Sequence, residues 1–240
     1  MEKTLIEIPF DLRVDFVSRK NRFLGKVRLK DIDSLEDVHI RDPGRLEEIL
    51  YSGNEVLLKR VESDTRKTDW DILAGNVNGD WIFINSGYHR EIAEAILRDP
   101  LLNPFGQIEN FEAEKKLGES RIDFLLEKGD KDIWLEVKGC TLAKDGKALF
   151  PDAPTERGKR HVEELIQVNE EKDSSAALVF LVFRPDACCF APHEKQDPEF
   201  SKSFREAQKA GVDVHALKLR YDGGAVYYLK EIPICEVYKV

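Results

Sequence analysis

Three side chains in the middle of the chain have the types and spacing of a metal-dependent phosphodiester site. They are Asp123 in the run RIDFLL, and Glu136 and Lys138 in DIWLEVKG. Side chains alternate across a β-strand. Ile133, Leu135 and Val137 then share one face of the second run, which leaves Glu136 and Lys138 on the other. In the first run Ile122, Phe124 and Leu126 share a face, with Asp123 opposite. Paired strands lie about 4.8 Å apart, so Asp123 and Glu136 can meet at one point. Two carboxylates that close repel unless a cation bridges them or one takes up a proton. Their hard oxygens suit Mg2+ or Mn2+. Such an ion polarises a phosphoryl oxygen and acidifies a bound water. Lys138 beside it can orient that water or steady charge on phosphorus. Glu114, one run earlier in QIENFEAEK, either completes the acidic cluster or stands as an ordinary exposed glutamate. Asp with Glu-x-Lys is common on half-exposed strands. Here both runs are strongly apolar, and Gly139 follows at once, where backbone can approach a ligand.

The elements around these residues read α-β-β-β-α-β from 88 to 183. HREIAEAIL places Ile92, Ala95 and Ile96 on one helical face. QIENFEAEK, RIDFLLE and DIWLEVK follow as strands. ERGKRHVEELIQVNEE is an amphipathic helix, with Val162, Leu165, Ile166 and Asn169 along its stripe. Arg157, Arg160 and His161 fall opposite that stripe, at i, i+3 and i+4. Thr155 is placed to cap this helix. A helix start backed by basic residues favours a phosphate, although the same pattern serves an ordinary capped surface helix. ALVFLVF has the continuous apolar character of a strand covered on both faces. A further helix, PEFSKSFREAQKAG with Gly211 at its C-terminal cap, and the strands VDVHALKLR and AVYYLKE complete the chain.

Before residue 85 the rhythm is different. LIEI, RVDFV, RFLGKVRL, EVLLKRV, TDWDILAGNV and DWIFI are short runs broken by Gly, Asn and Asp. DPGRLEEIL, between two of them, reads as a turn and a short helical stretch. Five or so short strands with one helical insert suit a small OB-like barrel. The expected architecture is therefore α/β (α+β). A barrel domain over 1–86 packs firmly on a nuclease-like domain over 87–240, because the change near 85–87 carries no flexible linker.

Of the 240 residues 42% are hydrophobic, enough for a substantial core. No apolar run approaches 18 residues, so no membrane partner is expected. MEKTLIEIPFDLR lacks a signal-peptide layout, which points to the cytoplasm. Cys140, Cys188, Cys189 and Cys235 form no C-x-x-C pair. Their spacing argues against zinc or a disulfide framework and for reduced, mostly buried thiols. The net charge of −9 argues against a simple basic DNA-coating protein, yet local fields outweigh the sum. Residues 13 to 30 hold Arg13, Arg19, Lys20, Arg22, Lys26, Arg28 and Lys30 against Asp15 alone. This segment is either a track for a phosphate backbone or a solvated strand face.

SRIDFLL, LEVKGCTL, ALFPDAPTERGKRHVEEL, FLVFRPDA and FAPHEKQDPEF together strongly resemble the sugar fermentation stimulation (SfsA) family. The resemblance covers most of the chain and is densest from 114 to 200. It implies a DNA-binding protein with an OB-like N-terminal domain and a C-terminal domain of the PD-(D/E)XK nuclease type. By position, Asp123, Glu136 and Lys138 fall on the nuclease pattern, and Glu114 on the family's preceding acid. RKNRFLGKV resembles a basic segment ending in Arg-Phe-Leu, and HIRDPGRLEEIL a His … Gly-Arg turn, matching at His39, Gly44 and Arg45. Asp42-Pro43 stand where the family usually has Asn-Thr, and no Pro-Asn follows Ile84-Asn85. DNA binding is implied more firmly than cleavage. The leading expectation is a DNA-binding protein with a Mg2+- or Mn2+-dependent nuclease site, and the intact Asp–Glu–Lys set favours it. Nucleic acid would be held by Arg13, Arg19, Lys20, Arg22, Lys26, Arg45, Arg157, Arg160 and His161. The alternatives are a non-catalytic DNA-binding transcriptional regulator of sugar metabolism, or an RNA-binding protein, since OB-like barrels often take single strands.

Overall fold

The computed structural model describes residues 2–29, 34–62, 66–171 and 174–236; Lys30, counted in the basic run, lies outside the described residues. β1 (Lys3–Glu7) stands apart from the strands that follow it. β2 (Leu12–Asn21), β3 (Leu24–Leu29), β4 (Ser34–His39), β5 (Glu55–Arg60) and β6 (Trp70–Val77) run in the spatial order β4-β3-β2-β5-β6. A parallel contact of His39 with Asp71 joins β4 to β6 and closes a five-stranded barrel. Alternation sends Val14, Phe16, Val27, Val38, Val56, Leu58 and Ile72 inward as its core. The stretch expected to be helical is a single turn, with the Ile49 and Leu50 N–H groups both donating to the Leu46 carbonyl at 3.0 and 2.8 Å. Leu46 has a φ of 53°, which interrupts a right-handed helix, and its side chain is buried in the barrel core.

β7 (Asp80–Phe83) leaves the barrel and leads into α1 (His89–Leu97). Next come β8 (Asn110–Leu117), β9 (Ser120–Lys128) and β10 (Lys131–Cys140), then the short β11 (Leu142–Lys144) and β12 (Lys147–Phe150). α2 (Glu156–Asn169), β13 (Ser174–Val182), β14 (Cys189–Pro192), α3 (Pro198–Lys209), β15 (Asp213–Tyr221) and β16 (Ala225–Ile232) follow. The expected α-β-β-β-α-β order is present as α1, β8, β9, β10, α2 and β13. β13 lies between β10 and β15, parallel to both. It reads as continuously apolar because its two faces serve two cores. Ala177, Val179 and Leu181 face the core under α1, while Leu178, Phe180 and Val182 face the core under α2 and α3.

Two features tie the halves together. β7 pairs with β6 and, at Trp81–Tyr221, with β15, so barrel and nuclease-like domain share one 13-stranded sheet. β1 pairs antiparallel with β16. The first strand therefore completes the sheet of the second domain, across the division at 86–87.

A further expectation is corrected. Cys189 and Cys235 form a disulfide, while Cys140 is a buried free thiol and Cys188 an exposed one. Phe190 and Ile234 form a parallel bridge, which brings the Cα atoms of Cys189 and Cys235 to 5.2 Å, within bonding range. The small sheet β11-β12-β14 has no counterpart among the elements expected from the sequence. Thr155 and Gly211 stand at helix ends as the sequence indicates. The Thr155 hydroxyl accepts from the Gly158 N–H at 3.0 Å, and Gly211 takes a φ of +83° one residue past the α3 cap. Among the described residues no helix is long and apolar enough to cross a membrane.

Candidate functional site

The antiparallel ladder between β9 and β10 runs to the pair Leu135–Phe124 and stops. Asp123 and Glu136 are the next residues in register. Here a side chain replaces the ladder, as Asp123 Oδ2 accepts the Val137 N–H at 2.8 Å. Glu136 is 3% exposed. Its Oε1 accepts from Lys138 Nζ and from His161 Nδ1. Its Oε2 is buried with no hydrogen-bond partner.

His161 departs from the expected placement. It is 2% exposed and belongs to the buried side of α2 with Gly158, Val162, Leu165 and Val168. The buried stripe is thus rotated from the one centred on Val162 and Ile166. The cause is Glu136, which gives an imidazole inside the core a strong partner. Arg157 Nε donates to His161 Nε2 at 3.3 Å, so the ring proton sits on Nδ1 and points at Glu136. His161 therefore orients Glu136 and has no surface to offer a phosphate. Arg157 and Arg160 are exposed, Arg157 lining the cleft and Arg160 Nε reaching Ser120 Oγ at 3.3 Å.

The electrostatics of the two acids differ. Burial, and next the charge of Glu136, push the Asp123 carboxyl up to about 6; the Val137 N–H opposes them. Burial also works against ionised Glu136, but Lys138 and His161 outweigh it and hold its pKa below the ordinary glutamate value. Glu114 lies in the same row, between the pairs Ala113–Phe124 and Lys115–Ile122. It takes a φ of 57°, and its exposed carboxylate pairs with Arg90 and Arg121 at 3.2 Å each. Among the described residues no three His, Cys, Asp or Glu side chains are grouped to hold a metal. Asp123 and Glu136 are the pair that could. Mg2+ is commonly held by one or two carboxylates, with water and phosphate filling the other positions. The orphaned Oε2 of Glu136 fits that requirement.

These residues line a cleft of about 1410 Å3 between barrel and nuclease-like domain. Arg22, Arg45 and the 42–44 turn form one wall, with Asp123, Glu136, Lys138 and Arg157 on the other. The basic run divides by role. Arg13 pairs with Glu55, and Lys20 and Lys26 pair with Asp37. Arg19 bonds the backbone carbonyls of Asn21, Arg22, Asp42 and Arg45. Arg22 and Arg45 make no side-chain hydrogen bond or ion pair among the described residues.

Three lining residues were given no role from sequence. His89 starts α1, and a Cβ at Gly139 would lie 2.2 Å from its Cε1. That close approach makes Gly139 necessary. His89 Nε2 is buried without a partner, and burial lowers the ring's pKa to about 4. Asp42 and Asp152 face each other across the domain junction. Asp152 Oδ2 accepts the Leu46 N–H at 3.2 Å, and its carboxylate fills the space where a Cβ on Gly44 would stand. Burial, with a smaller contribution from Asp152, pushes Asp42 up to about 6; the Gly44 N–H and Arg19 oppose it. The folded chain therefore binds a proton that the unfolded chain, at about 3.8, has released. Stability from this group is gained as pH falls through about 6, and the cost of ionising it is fully present above. Asp42→Asn is expected to raise the melting temperature by a few degrees near pH 8, the gain shrinking toward pH 4. Thermal unfolding across that range checks it. An equal shift at both ends would mean that the charge is not the cause.

Comparison with known proteins agrees with this architecture. Residues 17–84 match the SfsA N-terminal OB domain, and residues 87–225 match the sugar fermentation stimulation protein RE domain. The chain belongs to the SfsA family. The sugar fermentation stimulation protein homolog of Methanococcoides burtonii is 44% identical over 96% of this chain and 95% of its own. The Thermotoga neapolitana homolog is 45% identical over 96% of this chain and 98% of its own. Among solved structures, Pyrococcus furiosus SfsA in complex with Ca2+ superposes with a TM-score of 0.87 at 30% identity, over 97% of this chain and 99% of that one. The SfsA match therefore spans both walls of the cleft.

Proposed function

We propose that this chain is a DNA-binding protein that hydrolyses phosphodiester bonds at Asp123, Glu136 and Lys138 with Mg2+ or Mn2+. The observation that carries the reading is the buried, unpartnered Oε2 of Glu136 next in register to Asp123. An ionised oxygen shut away from water and unpaired is costly, and two adjacent carboxylates repel. A divalent cation relieves both. The Pyrococcus furiosus relative, described in complex with Ca2+, supports the same preference for hard oxygen ligands. When bound, the metal supplies Lewis acidity toward a phosphoryl oxygen and acidifies water. His161 keeps the Glu136 carboxylate turned toward the cleft, and Lys138 holds a positive charge where a phosphate would meet it. Arg22, Arg45 and Arg157 line the path for the backbone. A DNA substrate implies a cytoplasmic site of action.

Calorimetry with Mg2+ and Mn2+ tests the metal directly. The wild type is expected to bind, and Glu136→Gln to lose at least about tenfold in affinity, because it surrenders the charge while keeping the shape. Equal binding by both, or none by either at millimolar metal, removes the metal site.

A further inference from the structure

We propose that the occupant of the cleft is a single DNA strand and that Phe23 holds one of its unpaired bases by stacking. The inference rests on the DNA-binding reading above and names the form of DNA that the site takes.

Phe23 sits at the tip of the β2–β3 hairpin, next to Arg22. Its backbone is fixed on both sides. Its N–H donates to Asn21 Oδ1 at 2.8 Å, and its carbonyl accepts the Ile40 N–H at 3.0 Å. The ring is nonetheless 48% exposed. It lies nearly parallel to the His39 imidazole, 21° between planes and 6.5 Å between centroids. Burial, the largest influence, lowers the pKa of His39, so the ring beneath Phe23 is neutral at neutral pH. The result is a rigid aromatic platform left open to solvent.

The charges beside it specify the partner. Arg22 and Arg45 line the mouth of the cleft without acidic partners among the described residues. Arg19 holds them in place from behind, through the carbonyls of Arg22 and Arg45 themselves. Two guanidinium groups borne on backbone that Arg19 anchors, beside an exposed flat ring, match a chain of phosphates carrying flat bases. A duplex does not fit this arrangement. Its bases are stacked on one another and show only their edges in the grooves. Only an unpaired base can lay its face on Phe23. The backbone that follows is then led into the cleft that contains Asp123 and Glu136.

Fluorescence anisotropy in EDTA, which prevents cleavage, tests the proposal with wild type, Phe23→Ala and Phe23→Trp. The probes are a labelled oligo-dT strand, a duplex of equal length, an abasic strand with the same phosphates, and oligo-U. Wild type is expected to bind oligo-dT more tightly than the duplex. Phe23→Ala is expected to weaken oligo-dT binding about tenfold, the scale of one base–aromatic stack, and to leave the abasic strand unaffected. Phe23→Trp is expected to bind as the wild type does. The side chain is exposed, so unchanged melting temperatures should confirm that both variants fold. If Phe23→Ala binds oligo-dT as wild type does, or loses equally on the abasic strand, the stacking proposal is overturned and DNA binding stands. A wild-type preference for duplex overturns it in the same way, and binding of oligo-U alone transfers the site to RNA. If wild type binds no probe, the underlying DNA reading falls as well.

Discussion

Lys138→Ala is expected to lower metal-dependent cleavage about 10²–10³-fold while leaving DNA affinity within a few-fold of wild type. The Lys138 side chain is 14% exposed and paired to Glu136 at the base of the cleft. Binding to a phosphate backbone is a distributed term, in which one lysine supplies a small share. A preorganised charge at the reacting phosphate acts where charge develops, and its loss falls on the rate. A second effect distinguishes this role from a merely structural one. Lys138 is one of the two groups that keep the Glu136 carboxyl ionised. Without it, Glu136 titrates at higher pH, and the pH profile of residual cleavage moves upward. Gel shift and product accumulation on the same DNA give the two numbers. Cleavage that survives the substitution undiminished belongs to another site or another protein. If purified wild type cleaves no single-stranded, double-stranded or branched DNA with either metal, the non-catalytic regulator replaces the nuclease.

The largest stability effect is expected from Phe180→Ala, at about 3–5 kcal/mol. Phe180 is fully buried on β13. Its ring stands 5.5 Å from Phe150, 4.0 Å from Phe190 and 6.1 Å from Phe204. It thus fastens β12, β14 and α3 to the central sheet at one point. Truncation leaves a cavity among rings that are themselves pinned by neighbouring elements, so little collapse can offset it. In a protein of this size each kcal/mol moves the melting temperature by about 2–4 °C, which predicts a fall of roughly 6–20 °C. Circular dichroism melts would measure it. Phe180→Leu should cost much less, because most of the volume remains. A fall of under about 2 °C for Phe180→Ala would mean that the cluster is not a joint between these elements.

What the sequence disclosed, and what it withheld, follows from the range of each interaction. Asp123, Glu136 and Lys138 were legible because strand alternation is local, and their apolar neighbours fixed the register. The barrel was legible for the same reason. His161 was misplaced because its burial depends on Glu136, 25 residues away on another element. The basic run was legible as charge and opaque as function. Nothing in RKNR indicates that Arg19 serves backbone carbonyls while Arg22 stays open to the cleft. The disulfide joins residues 46 positions apart, and only the bridge at Phe190–Ile234 brings them together. Asp42 carried a faint signal, as an acid in a turn where the family usually has an amide. Its partner, Asp152, lies in the other domain.

The pairing of β1 with β16 also has a bearing on how the chain is made. β1 leaves the ribosome early, yet its partner, Ala225–Ile232, is translated more than 200 residues later. The barrel strands lie within 12–77 and can pair while synthesis continues. β1 cannot, and during that interval it is an unpaired edge carrying Leu5 and Ile6, both of which pack against the finished core. Glu2, Lys3 and Glu7 flank those two residues and keep the waiting segment charged. Arg220 binding Glu2, and Tyr221 Oη donating to the Ile8 carbonyl at 2.6 Å, fasten this segment to β15, a step that must wait for the later strands. The strands that carry Asp123, Glu136 and Lys138 belong to the sheet that this step completes. A nascent chain thus acquires its sites in a fixed order, the platform on the barrel first and the fully framed acidic centre last.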